Sequence, residues 1–392
     1  MVAGVGIFYL LAVEFIPEVY GLYAAAIALF MIIGPFVTLG TSHIVAKRIS
    51  QDASTAASSW GAALLPGIVF SFVVAAVLAV AADISVPGLD GRTIFLLGLA
   101  EFLGSSISVP AAFALQGLDR FPAASVLTAT WAAMRMGGVG YVVFFMEAPS
   151  LVHISIALLV ASLLAGVSSS AVLARVVGPP KFSRLESVQI CKDGFPFSLT
   201  QASGALLGDI DKQMLLRFDV TGEYSAGIYS AGNRVLGLSA APMYAVLAAT
   251  YPRYFAKGGE SGLRGTWGYS KRLLLPVAAY AAVAGGGLFL VAPLIDNVLS
   301  GDYVDTISVI RWMSLVPLIH MPGLLAAEAL TGAGYQPTRN KFIIGAGLLN
   351  VVLNFALIGN YGINGAIIAT YASELFLLGG LLVWIKRKLA SL

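Results

Sequence analysis

Residues 339–388 read RNKFIIGAGLLNVVLNFALIGNYGINGAIIATYASELFLLGGLLVWIKRK. Two apolar runs, 340–359 and 363–385, are separated only by the turn around Gly359-Asn360-Tyr361-Gly362. Each matches the length of about 20 residues that a helix needs to cross the hydrocarbon of a bilayer. The first run holds no charge beyond Lys341, and the second holds only Glu374 before Lys386. Arg339 and Lys341 close one end of the pair and Lys386, Arg387 and Lys388 the other, so both basic ends fall on one side. The stretch reads as a hairpin of two transmembrane helices.

Composition extends that reading to the whole chain. Of 392 residues 11% are charged and 58% hydrophobic, and the mean hydropathy is +0.87. A water-soluble fold of this size has too little interior to hide that much apolar surface. The 43 glycines suit close approach of helices in lipid. Twelve spans are predicted, at 2–17, 21–44, 59–82, 94–116, 122–146, 151–176, 195–217, 226–250, 273–298, 308–330, 340–359 and 363–385. All must be helical, because hydrocarbon offers nothing to an open backbone and no run alternates as a barrel strand does.

The connections alternate in charge. One set carries Glu14 and Glu18, Asp83 and Asp90 with Arg92, Glu147, Asp219 and Glu223, then Asp296, Asp302 and Asp305, and ends with the uncharged 359–364. The other set, with the C-terminal tail, carries 17 of the 23 Lys and Arg. By the positive-inside rule the basic side is cytoplasmic, which places both termini there and the chain in the cytoplasmic membrane. The net charge of +3 is too small to argue for nucleic acid. Cys191 is the only cysteine, so an internal disulfide is excluded. No Walker A motif, HExxH or other metal-ligand cluster occurs, and no cofactor is expected. The start lacks the basic region and cleavage site of a signal peptide.

The two halves echo each other. Gly21-Leu22-Tyr23 matches Gly227-Ile228-Tyr229, and Ala114-Leu115-Gln116-Gly117 with Pro122 matches Ala329-Leu330-Thr331-Gly332 with Pro337. The offsets are 206 and 215 residues. A six-helix repeat keeps its orientation, so the expected architecture is an all-α polytopic membrane protein of two six-helix bundles related by a pseudo-two-fold axis along the membrane normal. The expected boundaries are 1–177 for the first bundle, 178–194 for a basic linker containing Gly178-Pro179-Pro180, and 195–392 for the second.

Ionisable groups inside spans are costly and face a cavity or a partner. Glu101, Arg135, Asp209, Asp211, Lys212, Arg234, Arg311, Glu328 and Glu374 fall within the predicted spans. Asp209 and Lys212, three apart, can pair on one face. Asp211 and Arg311 read as interfacial and solvated. Arg135 and Arg234 suit an anionic group such as phosphate, whereas Glu101, Asp209 or Glu374 can carry a coupling proton. Asn350 and Asn354 share a helix face, either as interhelical glue or as cavity lining. His43, His153 and His320 each stand alone in the sequence and read as hydrogen-bonded residues of apolar helices. The candidate substrate-binding residues are therefore Arg135, Arg234, Lys212, Asn350 and Asn354.

Further residues carry a family resemblance. Asp211-Lys212-Gln213-Met214-Leu215-Leu216, followed by Glu223 to Arg234, resembles the helix 7–8 signature of the polysaccharide-repeat (Wzx-type) flippases, with Asp211, Lys212, Tyr229 and Arg234 at its positions. Leu349-Asn350-Val351-Val352-Leu353-Asn354, running to Tyr361-Gly362-Ile363-Asn364-Gly365-Ala366-Ile367-Ile368-Ala369-Thr370, is similar to the family's helix 11–12 stretch, and Val19-Tyr20-Gly21-Leu22-Tyr23 to its motif after helix 1. The resemblance implies the multidrug/oligosaccharidyl-lipid/polysaccharide exporter superfamily. It also implies flipping of a polyprenyl-diphosphate-linked oligosaccharide by alternating access, driven by an ion gradient. Its implied partners are that substrate, membrane lipids, and a polysaccharide polymerase or glycosyltransferases. Arg135 is not a motif position. Only about nineteen residues precede Tyr20, so the first helix looks short against the family pattern.

Three alternatives accompany that reading. A multidrug or small-cation antiporter of the same superfamily would favour acidic residues in its cavity. A non-transporting scaffold in polysaccharide assembly would tolerate the short first helix. A membrane glycosyltransferase or ligase needs a large outer loop, which this chain lacks, so an enzyme is not expected.

Overall fold

The computed structural model describes residues 2–299 and 301–392. Met1, Ser300 and the side chains of Val2, Asp296 and Asn297 lie outside that description, and with them the acidic position assigned to Asp296. The described residues form helices and no strand. In chain order these are α1 (Val2–Glu14), α2 (Pro17–Thr38), α3 (Thr41–Gln51), α4 (Ala56–Val80), α5 (Ala82–Ser85), α6 (Gly91–Gly117), α7 (Phe121–Phe145) and α8 (Leu151–Val177). They continue with α9 (Arg184–Phe218), α10 (Gly222–Val291), α11 (Leu294–Val298), α12 (Thr306–Met313), α13 (Val316–Gly332), α14 (Gln336–Tyr361) and α15 (Ile363–Ala390). Among the described residues seven helices are long and apolar enough to cross a membrane, or eight when the bent pair α12–α13 counts as one. Each predicted span has a helical counterpart, with 21–44 divided between α2 and α3 and two spans joined in the 70-residue α10.

Local chemistry explains where the helices stop and bend. Asp90 opens α6, and its carboxylate accepts from the Thr93 amide at 2.9 Å and the Thr93 hydroxyl at 2.5 Å. Such a cap satisfies one of the amides that the first turn leaves open. Burial pushes the Asp90 carboxyl up, but the Thr93 hydrogen bonds outweigh it and hold the group below the usual aspartate range. The polar stretch 251–272, expected as a loop, is helical apart from Gly262, whose φ of 54° is accessible to glycine at little cost. The span 308–330 breaks into α12 and α13 at an angle of 47°. Pro317 lies in the first turn of α13, where its missing N–H is harmless, whereas continuing α12 through it would lose a hydrogen bond.

The chain divides into two compact units. One comprises Val2–Phe15 with Leu22–Ala205, the other Ile16–Gly21 with Leu206–Leu392. The dividing line thus falls inside α9, later than the expected linker at 178–194. The reason lies in what the linker touches. The Lys181 amide donates to the Ala57 carbonyl at 3.0 Å, Gly194 sits against the backbone of Leu39 and Gly40, and Gln201 meets His43 at 3.1 Å. These contacts tie 178–205 to the N-terminal unit, whose core gathers Trp60, Ile44, Ile49, Leu115, Leu173 and Ile190. In the C-terminal unit α10 packs on α13, and α14 on α15. Its apolar clusters centre on Met243, Ala281 and Leu325, and on Leu330, Leu381 and Ile385.

The internal repeat is visible in backbone detail. After α6 the Arg120 amide donates to the Leu115 carbonyl at 2.8 Å, and after α13 the Tyr335 amide donates to Leu330 at 2.8 Å. Asp119 (φ 59°) and Gly334 (φ 81°) occupy the same left-handed position between them. Both are residue types that accept such a conformation, as a helix C-terminus of this kind requires.

Candidate functional site

A polar cluster lies at the centre of the C-terminal unit. α9 supplies Asp211, α10 supplies Tyr229, α14 supplies Asn350 and Asn354, and α15 supplies Thr370. Asn350 and Asn354 are one helical turn apart and so share a face. Asp211 is 2% exposed, and Tyr229, Asn350 and Asn354 are fully buried. The Tyr229 hydroxyl donates to Asp211 Oδ2 at 2.6 Å, the Thr370 hydroxyl to the same oxygen at 3.3 Å, and Asn354 Nδ2 to Oδ1 at 2.6 Å. Asn354 Nδ2 also reaches Asn350 Oδ1 at 2.8 Å. A buried carboxylate without partners is prohibitively costly. Three donors, each worth roughly 1.5–3 kcal/mol to a charged acceptor, make Asp211 tenable.

The cluster is nevertheless not closed on itself. Asn350 Nδ2 and Asn354 Oδ1 are buried with no hydrogen-bond partner. Half a turn of the Asn354 amide would aim its oxygen at Asp211, the arrangement a cation between them requires. Tyr229, Asp211 and Thr370 also line a cavity of about 240 Å³, together with Asn233, Tyr244, His320 and Glu374. In the same lining His320 Nδ1 lies 3.0 Å from Glu374 Oε1, and the Tyr244 hydroxyl lies 3.5 Å from His320 Nε2. No Lys or Arg lines this cavity.

Lys212 points elsewhere. Its ammonium binds Asp209 at 2.7 Å and the Gly208 carbonyl at 2.9 Å, the three-residue pairing read from the sequence. Arg234 is exposed on α10, with the Tyr20 hydroxyl in hydrogen-bonding reach. In the N-terminal unit Arg135 and Glu101 are partners of each other. The guanidinium holds the carboxylate with both nitrogens, Nη1 reaching Oε2 at 2.8 Å. The guanidinium also lies 5.6 Å from the Trp131 ring centre and faces Tyr23. The candidates Arg135 and Glu101, assigned to different tasks from sequence, thus form one bidentate pair.

One reading from sequence is corrected. Asp211 is not interfacial and solvated but buried, because α10, α14 and α15 all turn polar side chains toward it. The three histidines, each alone in its stretch of sequence, are hydrogen-bonded, His320 to Glu374, His43 to Gln201 and His153 to Ser150. Asp211 and Tyr229 were legible as motif positions. Thr370 was legible as the end of the helix 11–12 motif, but its place beside Asp211 was not, nor was the role of His320, since both depend on helices distant in sequence.

Comparison with known proteins adds three findings. The family described as polysaccharide biosynthesis protein matches residues 1–257. No curated protein matches the sequence. Among solved structures, an inward-facing multidrug resistance MATE family transporter of the MOP superfamily is similar with a TM-score of 0.83 at 15% identity, over 99% of this chain and 94% of that one. An outward-facing structure of a transporter so described gives 0.67 at 16% identity, over 99% and 94%. A MOP superfamily transporter from Pyrococcus furiosus, described as having a binding pocket of reversed polarity, gives 0.66 at 14% identity, over 100% and 92%.

Proposed function

The chain belongs to the polysaccharide biosynthesis protein family, and on that premise we propose that this multi-pass membrane protein moves polyprenyl-diphosphate-linked oligosaccharide repeat units across the cytoplasmic membrane. Transport runs by alternating access and is coupled to an ion gradient. The MOP-type helical fold supports this reading. The observation that carries the coupling is the buried Asp211 carboxylate, held by hydroxyl and amide groups beside a cavity of about 240 Å³. Such a carboxylate takes a proton, or an alkali cation with the amide oxygens, and in either form loses the charge that makes its burial costly.

The substrate is anionic at its diphosphate, which the acidic cavity of the C-terminal unit does not suit. Arg234, exposed and at a motif position, is the guanidinium we assign to it. Arg135 contributes when Glu101 is protonated and releases it. Lys212 and Asp209 serve α9 as a local pair. A second reading is favoured by one observation. The cavity of the C-terminal unit, with Asp211, Glu374, Tyr229 and Tyr244 in its wall and no basic residue but His320, also suits a small organic cation, as in a multidrug antiporter.

The test is reconstitution with a fluorescent polyprenyl-diphosphate oligosaccharide, scoring leaflet exchange with and without a proton or sodium gradient. Gradient-driven exchange that is abolished by Asp211→Asn and Arg234→Ala is the expected result. Extrusion of a cationic dye with no oligosaccharide exchange would replace the flippase by the antiporter.

A further inference from the structure

We propose that the notch at the break between α12 and α13 binds the headgroup of a zwitterionic phospholipid, with its phosphate on Arg311 and its ammonium on Asp305. The notch lies where α12 stops at Met313 and α13 resumes at Val316 at an angle of 47°, and Ser314 and Leu315 lie in its wall at the break. It encloses about 670 Å³ and is also lined by Phe289, Asp305, Arg311 and Trp312. The cavity described above shares no lining residue with it.

The charges are arranged for a ligand carrying both signs. The Arg311 guanidinium sits 5.2 Å over the Phe289 ring and takes part in no ion pair among the described residues. Stacking fixes its plane and leaves its edge, with its fork of N–H donors, for a phosphate oxygen pair. Asp305 spends Oδ2 on the Tyr224 hydroxyl at 2.8 Å, and Oδ1 remains for an amine. Arg311 and Asp305 thus line one notch without neutralising each other. An anionic lipid would gain the arginine as well but would bring no ammonium to pair with the aspartate and offset its phosphate there, so the charge pattern selects against it.

The surroundings favour a lipid over a soluble phosphate. Val304, Trp312 and Leu315 around the notch are each more than half exposed, and Phe289 nearly so. A free phosphate would leave them wet, whereas a lipid covers them with its glycerol and first methylenes. The notch includes Asp305, which immediately precedes α12, at the boundary between a span and an acidic connection. Tryptophan is favoured at that depth. Tyr371, donating to the Trp312 carbonyl at 2.6 Å, anchors this part of α12 to α15.

The proposal is independent of what the protein transports, and its test uses the purified protein alone. Wild type and variants are equilibrated with phosphatidylethanolamine or phosphatidylglycerol and the retained lipid is counted by native mass spectrometry. Wild type should retain the ethanolamine lipid in preference. Arg311→Gln should lower that retention about tenfold, as expected for one charge-assisted contact. Asp305→Asn should bring the ethanolamine lipid down to the level of the glycerol lipid. Arg311→Lys, which keeps charge but loses stacking and fork, should fall between, and thermal melts should show the variants folded. Retention unchanged in Arg311→Gln, or equal for both lipids in wild type, would overturn the assignment. Displacement of the lipid by millimolar inorganic phosphate would overturn it in favour of a free-anion site.

Discussion

Gly21 and Gly227, 206 residues apart in the chain, pack against each other's helix with backbone on backbone. A Cβ on Gly21 would lie 2.8 Å from the Gly227 nitrogen and run into the Glu223 carbonyl, and a Cβ on Gly227 would run into the Pro17 carbonyl. The two glycines head the repeated Gly-x-Tyr motif, so the repeat meets itself at this point. It also explains why residues 16–21 belong to the unit formed by 206–392. Small residues allow helices in lipid to gain dispersion energy by close approach.

Gly227→Ala should therefore lower stability by about 1–3 kcal/mol, since the atoms it meets are backbone and cannot rotate away. Gly286→Ala on the same helix, where an added Cβ meets nothing within 4 Å, should leave the melting temperature almost unchanged. Thermal unfolding of the two variants in detergent, side by side, provides the check. Equal shifts would mean that the close contact carries no weight.

The Arg135–Glu101 pair makes a second expectation. Both side chains are largely buried, at 13% and 7% exposure. Glu101→Gln or Arg135→Gln alone strands the other charge and should cost about 3–5 kcal/mol. The double variant should recover a good part of that loss, because no charge remains buried. A double-mutant cycle from unfolding free energies measures the coupling, and strict additivity would mean that the two groups do not interact.

At the Asp211 cluster the three donors should be unequal. Tyr229→Phe removes the 2.6 Å bond and leaves the carboxylate with its weaker hydroxyl donor at 3.3 Å. The expected loss is roughly 1.5–3 kcal/mol. Thr370→Val should cost less. Asp211→Asn should be tolerated by the fold while abolishing any dependence of transport on the ion gradient. Retained gradient dependence in Asp211→Asn would place the coupling group elsewhere, with Glu374 next in line.

The cap on α6 gives a pH dependence. Asp90→Ala should destabilise by about 1 kcal/mol near neutrality. Asp90→Asn keeps an acceptor and isolates the share that depends on charge, which is smaller because the group is exposed. The Asp90 carboxyl is held below its usual value in the folded protein. Its charge-dependent stabilisation is then complete above the unfolded aspartate pKa and vanishes as the pH falls through the lower folded value. Melting curves of wild type and Asp90→Asn should converge in acid and separate as the pH rises past the aspartate range. A gap that widened toward acid would reverse the sign and exclude the cap.

The class of fold was legible from composition and from the spacing of Lys and Arg, because lipid leaves a chain no choice but helices and charge marks the ends of spans. The glycine repeat and the Asp209–Lys212 pair were legible for a related reason. Both rest on relations within one helix or between two similar ones. The span 308–330 was legible as one apolar run, but not its break at an angle of 47°, which depends on what α12 and α13 pack against.

What the sequence by itself determined is therefore the helical membrane class, the order of the spans and the local caps and pairs, all consequences of near neighbours and of the solvent. Only the tertiary structure decided that Asp211 is buried among Tyr229, Asn354 and Thr370, that Glu374 answers His320, that Arg135 is occupied by Glu101, and that the chain divides inside α9. These relations join side chains from 18 to 159 positions apart. No periodicity records which face of one helix will turn toward which face of another, because that choice is made by the packing of all of them at once.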